Sequence, residues 1–427
     1  MNLISPSERR SIEQLDSAAL RSYQLARLNQ MLSQILPQNR FYADKLGQVK
    51  LPLADWQAFQ HWPYTFKEEL QSNLRPGLAA DHWTYPLERY VRYHQTSGSQ
   101  GRPLPVLDTA EDWKWWLNCW QYVLDAAEVT EQDRLLLAFS FGPFIGFWSA
   151  HDAAVARGCL VVPGGGLTSL ARLQLIRQCG VTVLFCTPSY ALHLAEVGRE
   201  HQINTADLPV RCLILAGEPG GSVPATRQRL EQAWEARVFD HSGASEVGPW
   251  GFADAQHEGL FVNEAEFLPE FLSVANGHAA AAGELSELVL TNLGRYGFPI
   301  IRYRTGDLVR PRWLNNGPIR FVHLEGGVLG RADDMLIVRG VNVFPSAIEH
   351  ILLSFPEVRE YRLIATRTAE MDQLKIEIED QLNQPARVAE ELRLRLSLRV
   401  EVTCVPAGSL PRFEGKAKRF VDQRHLK

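Results

Sequence analysis

The stretch VTVLFCTPSYALHLAEVGREHQINTADLPVRCLILAGEP (residues 181–219) holds two apolar runs, TVLFC (182–186) and CLILA (212–216), with a helical segment over 188–200 between them. Runs rich in β formers that alternate with helices and lack a polar face read as strands of a mostly parallel sheet buried on both sides. LLLAF (135–139), CLVV (159–162) and ARVFD (236–240) extend that pattern, with further helical segments at 168–179 and 223–234. Thr168 and Ser222 are the expected N-caps of those two helices. In such a sheet ligands bind beyond the carboxyl ends of the strands. LILAGEP (213–219) and VFDHSGASE (238–246) both run from a strand into a glycine-containing turn, which is where a site is expected.

The flanks complete the outline. Ser5-Pro6-Ser7-Glu8 reads as a capping box with proline at the first helical position. It predicts one long amphipathic helix through Ile12, Leu15, Ala19, Tyr23, Ala26 and Leu28. In EDWKWWLNCWQYVL (111–124), helical spacing puts Trp113, Trp116, Leu117 and Trp120 on one face. That is mainly a core stripe, with a ligand pocket or an interface as the alternative. From about residue 330 the pattern shifts to short strands and two helices, a small α+β unit. The expected fold class is therefore α/β, with a large domain over residues 1–330 and a small one over 331–427.

Composition narrows the function. The chain has 427 residues, 45% of them hydrophobic, a net charge of −5 and a pI near 6.2. No basic run or domain points to nucleic acid. MNLISPSERR lacks the apolar core of a signal peptide, and no apolar stretch is long enough to span a bilayer. The six cysteines are scattered without a C-x-x-C pair, which predicts a reducing, cytoplasmic setting without disulfides or a cysteine zinc site.

Several short stretches carry site chemistry. In HQTSGSQGRPLP (94–105), glycines let the backbone approach an anion and hydroxyls add donors. The stretch reads as a polyphosphate cradle or as a flexible linker. SGASEVGP (242–249) places Glu246 after a glycine turn, where a carboxylate can hold Mg²⁺ or lie exposed. RYRTGDLV (302–309) puts Asp307 in a Thr-Gly-Asp turn, able to accept from two ribose hydroxyls or to cap the turn. GRADDMLIVRGVNVFPSAIE (330–349) carries Arg331, Asp333 and Gly340, and LPRFEGKAKRF (410–420) carries Lys416. A P-loop phosphotransferase is excluded, because GSQGRP lacks the four-residue span and the G-K-[ST] ending.

In their order, these stretches resemble the motifs of the adenylate-forming (acyl-CoA synthetase, ANL) superfamily, and within it the phenylacetate–coenzyme A ligase family. TSGSQGRP is similar to a T-S-G-T-T-G-K-P phosphate loop, DHSGASEVGP to D-x-Y-G-x-S-E, and LAGEP, GLFVNEAEFLPEF (259–271), RYRTGD, RADDMLIVRGVNVFPSAIE and LPRFEGKAKR match in turn. The resemblance runs from about Phe66 to the C-terminus. It implies a large N-terminal domain and a small mobile C-terminal one. It also implies two half-reactions: a carboxylate attacks the α-phosphate of Mg·ATP, then a thiol, usually of coenzyme A, displaces AMP. By the same resemblance, Thr96, Ser97, Gly98, Ser99 and Gly101 hold the β- and γ-phosphates with Arg102 near them, and Glu246 binds Mg²⁺. Gly217, Glu218, Pro219 and Asp240 contact the adenine, within a nucleotide site that includes His241, Ser242 and Ser245. Asp307 takes the ribose with Arg331 assisting. Lys416 reaches the acyl carboxylate and the α-phosphate, Asp333 is the hinge, and Gly340 lines the thiol channel.

Three positions depart from that pattern. Arg102 stands where the family has lysine, which keeps the charge but changes its geometry. Ser99-Gln100 replaces a Thr-Thr pair. Ser242 replaces the aromatic residue set against adenine, so His241 or a residue from elsewhere is left to stack there. FGPFIGFWSAHDA (141–153) follows a strand, and Phe141, Phe144, Ile145 and Trp148 are the expected acyl slot, for an aromatic or short apolar acid, or else ordinary core. His151 either orients substrate or is a satisfied buried histidine. Three functions follow: a coenzyme A ligase, an adenylating enzyme that passes the acyl group to a carrier-protein phosphopantetheine or an amine, or a nucleotide-binding module without turnover. The expected partner is a small carboxylic acid, with an acyl carrier protein under the second reading, in a monomer or homodimer without nucleic-acid or membrane contact.

Overall fold

The computed structural model describes residues 3–96, 103–139, 142–253, 259–314, 316–332, 336–338, 341–368, 371–396, 400–412 and 419–424. A nine-stranded sheet organises the first part of the chain. Five of its strands are parallel and lie in the order Leu160–Pro163, Arg134–Leu137, Val183–Cys186, Cys212–Leu215 and Arg237–Ala244. These are the five runs marked in the sequence. Their alternate residues enter two cores. Leu135, Val183, Ile214 and Phe239 pack with the helix Ala110–Ala126, while Leu136, Leu184, Leu213 and Val238 pack under the helices on the other face. The central strands Val183–Cys186 and Cys212–Leu215 are buried on both faces, so they have no polar alternation.

The sheet then continues antiparallel through Gly248–Ala253, Gly259–Val262, His323–Glu325 and Pro311–Arg312, an extension the sequence reading did not include. A four-stranded antiparallel sheet, Phe267–Ser273, Ser286–Asn292, Tyr303–Val309 and Gly330–Arg331, stands beside it. After residue 335 the strands Leu336–Val338, Val341–Val343, Val358–Thr368, Met371–Asp380, Glu401–Cys404 and Phe420–Asp422 form a six-stranded sheet. It has its own core with the helices Pro345–Leu353 and Pro385–Leu396.

Local expectations fared unevenly. Thr168 caps its helix by accepting from the Ala171 amide. Ser222 does not cap: the N-cap is Val223, and the Ser222 hydroxyl is spent on Asp240 instead. The long N-terminal helix is two helices, Pro6–Glu13 and Ser17–Ile35, because Asp16 starts a new one by accepting from the Ala19 amide. SGA (242–244) is strand rather than turn, and Glu246 sits in the tight turn that follows it. Asp307 lies in an irregular strand, not in a turn. All six cysteines are free. No helix among the described residues is long and apolar enough to cross a membrane.

Candidate active site

The helix Ala110–Ala126 has tryptophans on more than one face, and all four are buried, Trp115 included. Each indole N–H needs a partner once buried, and each has one. Trp113 donates to Asp152, Trp115 to Glu266, Trp116 to Asp108 and Trp120 to Ser149. The stripe is core, as read.

One buried arginine ties the candidate segments together. Arg295, fully buried, donates through Nε and Nη2 to Asp108 at 2.7 and 2.9 Å. Its Nη1 donates to the carbonyls of Ser245 and Glu246, both at 3.1 Å. Its guanidinium lies over the rings of Trp116 and Phe298. Asp108 lies in the hairpin Tyr90–Gln95/Pro105–Thr109, whose connecting stretch is the one read above as a polyphosphate cradle or a linker. Arg295 itself precedes the strand carrying Tyr303 and Asp307. A paired and hydrogen-bonded arginine is the only form in which such a charge is tolerated in a core. Sequence reasoning missed this pair: 187 positions separate the partners, and nothing in LGRYGF marks the arginine as buried.

The Glu246 carboxylate is buried in its turn. Its Oε1 accepts from the Tyr303 hydroxyl at 3.0 Å and lies 3.1 Å from Lys67 Nζ. Burial beside this carboxylate pushes the Tyr303 phenol well above its usual range. Lys67 and Tyr303 were both outside the sequence reading. Gly248, at φ 131°, opens the return strand, and a Cβ there would come within 2.7 Å of Trp115. Only glycine lets the turn sit this close to the helix.

On the nucleotide side, Asp240 accepts from the Ser222 amide and hydroxyl at 3.1 and 2.5 Å and from the His241 amide at 3.0 Å. Desolvation raises it to about 6. A Cβ on Gly221 would meet the Asp240 Cβ at 2.7 Å, so the backbone at Gly221 lies directly against Asp240. Gly217 and Pro219 are exposed after their strand. The Glu218 carboxylate accepts from the Ser189 amide at 2.7 Å, at the start of the helix Pro188–Glu200. Asp307 pairs across the sheet with Arg331, Oδ1 to Nη1 at 3.1 Å.

The His241 ring lies on the strand face opposite Asp240 and Ser242. Strand alternation sends Asp240 and Ser242 one way and His241 the other, against Trp120 with ring centroids 4.3 Å apart. Its Nδ1 bonds the Gly251 carbonyl at 2.7 Å. Of the expected acyl slot, Ile145 is buried in the core, Phe144 is 44% exposed, and Trp148 is anchored through its indole to the Gly142 carbonyl. His151 stacks on Phe147 and bonds Asp152, which also holds Arg92 and Trp113. Thr96 is buried and closes the base of the phosphate stretch, its Oγ1 accepting from the Leu104 amide. Ser97, Gly98, Ser99, Gly101, Arg102, Phe141, Asp333, Gly340 and Lys416 lie outside the described residues.

The described part of the site fits Mg²⁺ carried by a polyphosphate. The Glu246 carboxylate is buried, and no group of three potential metal-ligating side chains occurs among the described residues. Mg²⁺ is commonly held by one or two carboxylates plus substrate phosphates rather than by an all-protein cage.

Comparison with known proteins agrees with this geometry. A family model for AMP-binding enzymes matches residues 84–264, and one for the AMP-binding enzyme C-terminal domain matches residues 340–424. The chain is 30% identical to a phenylacetate-coenzyme A ligase of Pseudomonas putida over 99% of both chains. It is 31% identical to that of Escherichia coli (strain K12) over 99% of this chain and 98% of the relative. Among solved structures, 2-hydroxyisobutyryl-CoA ligase in its postadenylation state superposes with a TM-score of 0.91 at 26% identity, covering 99% of this chain and 94% of that one. The same ligase in its thioesterification state gives 0.74, so this chain superposes better on the postadenylation structure. With whole-length relatives at this identity, the chain belongs to the AMP-forming acid–coenzyme A ligase family that includes the phenylacetate–coenzyme A ligases.

Proposed function

We propose that this protein activates a small carboxylic acid with ATP to an acyl-adenylate and then transfers the acyl group to coenzyme A, releasing AMP. The observation that carries this reading is the convergence of the hairpin and the Glu246 turn through Arg295 and Asp108, with the Tyr303–Asp307 strand joined to that turn by the Tyr303 hydroxyl. The relatives named as phenylacetate-coenzyme A ligases supply the reaction class.

The first step brings a carboxylate to a polyphosphate, so it depends on positioning and charge neutralisation more than on proton transfer. In this reading residues 96–102 cradle the β- and γ-phosphates. Glu246 would hold Mg²⁺, which neutralises phosphate charge when bound. Tyr303 orients the Glu246 carboxylate. Lys67, already beside it, adds a cation for the leaving pyrophosphate. Asp307 receives the ribose hydroxyls, with Arg331 fixing its rotamer. The Asp240 shelf and the backbone of 217–219 take the adenine, since the Glu218 carboxylate is committed to a helix terminus. Lys416 reaches the reacting carboxylate and the α-phosphate. Residues 331–427 form the mobile domain that turns about Asp333, withdrawing Lys416 and bringing Gly340 to the thiol path. The acid is aromatic or short.

Pyrophosphate release with Mg·ATP across aromatic and short aliphatic acids, with and without coenzyme A, tests this reading. Acid-dependent release that is lost in Lys416→Ala, with a thioester product when coenzyme A is present, is expected. Release without any thioester would move the acceptor to a carrier protein or an amine.

A further inference from the structure

We infer that Glu196 and Arg229 are positioning residues that act through Arg359, one drawing the small domain onto the nucleotide shelf and the other pushing it away. This rests on the ligase reading above and on the mobility it gives to residues 331–427. Charges of both signs meet at the seam between the two parts. On the large side, the helix Pro188–Glu200 carries Glu196 and the helix Pro224–Trp234 carries Arg229. On the small side, the strand Val358–Thr368 carries Arg359 and Tyr361, and Arg419 precedes the strand Phe420–Asp422. Arg359 Nη1 lies 3.9 Å from Glu196 Oε1, with both side chains partly exposed. The helix Pro224–Trp234 packs against the small unit's helix Pro345–Leu353.

The same seam reaches the nucleotide shelf. Glu218, on the turn assigned to adenine, holds the first turn of the Glu196 helix by accepting from the Ser189 amide at 2.7 Å. Its carboxylate is also within electrostatic reach of Tyr361 and Arg419. Arg419 is fixed inside the small unit by two hydrogen bonds to Glu360, and it comes three residues after Lys416. The surface that carries Arg359 therefore also carries the end of the Lys416 stretch, and seating that surface delivers the lysine.

Arg229 works against the seat. It feels both Arg359 and Glu196, and burial, then the like charge of Arg359, lower its guanidinium from its ordinary value. A partly exposed ion pair contributes little, and here Arg229 offsets part of it. Between two arrangements of similar free energy, a small differential interaction still changes the populations severalfold. A contact that is made and broken once per turnover suits such a pair, whereas a buried pair such as Arg295–Asp108 is costly to break.

The test sets acid-dependent ATP–pyrophosphate exchange without coenzyme A beside thioester formation from pre-formed acyl-adenylate and coenzyme A, in the full chain. The acid is the one in the aromatic and short aliphatic panel that gives wild type its fastest exchange, and the readout is the ratio of thioester formation to exchange. Glu196→Gln is expected to raise that ratio about two- to fivefold, and Arg229→Met to lower it by a similar factor. Damaged packing would slow both reactions together, whereas opposite shifts from two neighbouring residues require a shared charge partner. In Arg359→Gln that partner is gone, so adding either substitution should then change the ratio by less than about 1.5-fold. Shifts in the same direction, shifts below about 1.5-fold, or shifts undiminished in Arg359→Gln would overturn the inference. Exchange in wild type with a ratio that no variant moves removes the seat and leaves the ligase. Neither exchange nor thioester from wild type removes both.

Discussion

The Glu246 turn and the Asp307 strand are assigned to opposite ends of one nucleotide, yet they are held in place differently. The turn hangs from Arg295 and Asp108, both fully buried and hydrogen-bonded to each other through two contacts, with Arg295 also holding two carbonyls of the turn. Asp307 is steadied by Arg331, whose side chain is 43% exposed, on a two-residue edge strand just before residue 333. A buried pair fixes one geometry and fails badly when broken, whereas an exposed pair contributes little and can be remade. The phosphate end is thus built into the core, while the ribose end lies where the small domain is proposed to turn.

The sharpest way to break this contrast is Arg295→Met. It leaves Asp108 buried and unpaired, so chemical denaturation should show a loss of about 3–5 kcal/mol, with pyrophosphate release gone. Adding Asp108→Leu should recover most of the stability but not the activity, since the Ser245 and Glu246 carbonyls stay unheld. Activity returning with stability would show that Arg295 only packs.

Glu246→Gln should reduce kcat for pyrophosphate release by roughly 100- to 1,000-fold with little change in melting temperature. Lys67→Met should cost about tenfold in kcat/KM for ATP, as expected for one flexible, half-exposed cation beside the developing charge. At the ribose end, Arg331→Gln should change stability by less than about 1 kcal/mol, with its effect confined to KM for ATP. A destabilisation as large as that of Arg295→Met would erase the distinction between the two ends.

A further effect is one of pH. Asp240 is raised to about 6 in the folded chain, above the unfolded value near 3.9. Between those values the folded state holds a proton that the unfolded state has lost, so this group lowers stability as pH rises through that window. Asp240→Asn should therefore melt roughly 2–4 °C higher than wild type at pH 7.5 and about the same at pH 4, while binding nucleotide more weakly. Melting curves at the two pH values check the sign.

The parallel strands were legible because burial on both faces writes them as continuous apolar runs, and the small α+β unit because the strand–helix alternation changes near residue 330. The Asp240, Glu246 and Asp307 positions were legible as motifs. What held them was not. Arg295 and Asp108 look like surface residues in any local window, Lys67 precedes the other motifs, and Tyr303 hides inside RYRTGD. The two N-terminal helices were read as one because Asp16 acts through a side-chain cap that the apolar spacing does not reveal. His241 or a residue from elsewhere was read as stacking on adenine; strand alternation puts the His241 ring on the face opposite Asp240.

The central claim is that one site performs both half-reactions and that Lys416 serves only the first. The direct measurement is acid-dependent ATP–pyrophosphate exchange without coenzyme A, beside thioester formation from pre-formed acyl-adenylate and coenzyme A, in wild type and Lys416→Ala. The account predicts both reactions in wild type, and in Lys416→Ala a loss of exchange with thioester formation retained. Exchange that survives in Lys416→Ala, or wild type unable to turn acyl-adenylate and coenzyme A into thioester, would contradict it.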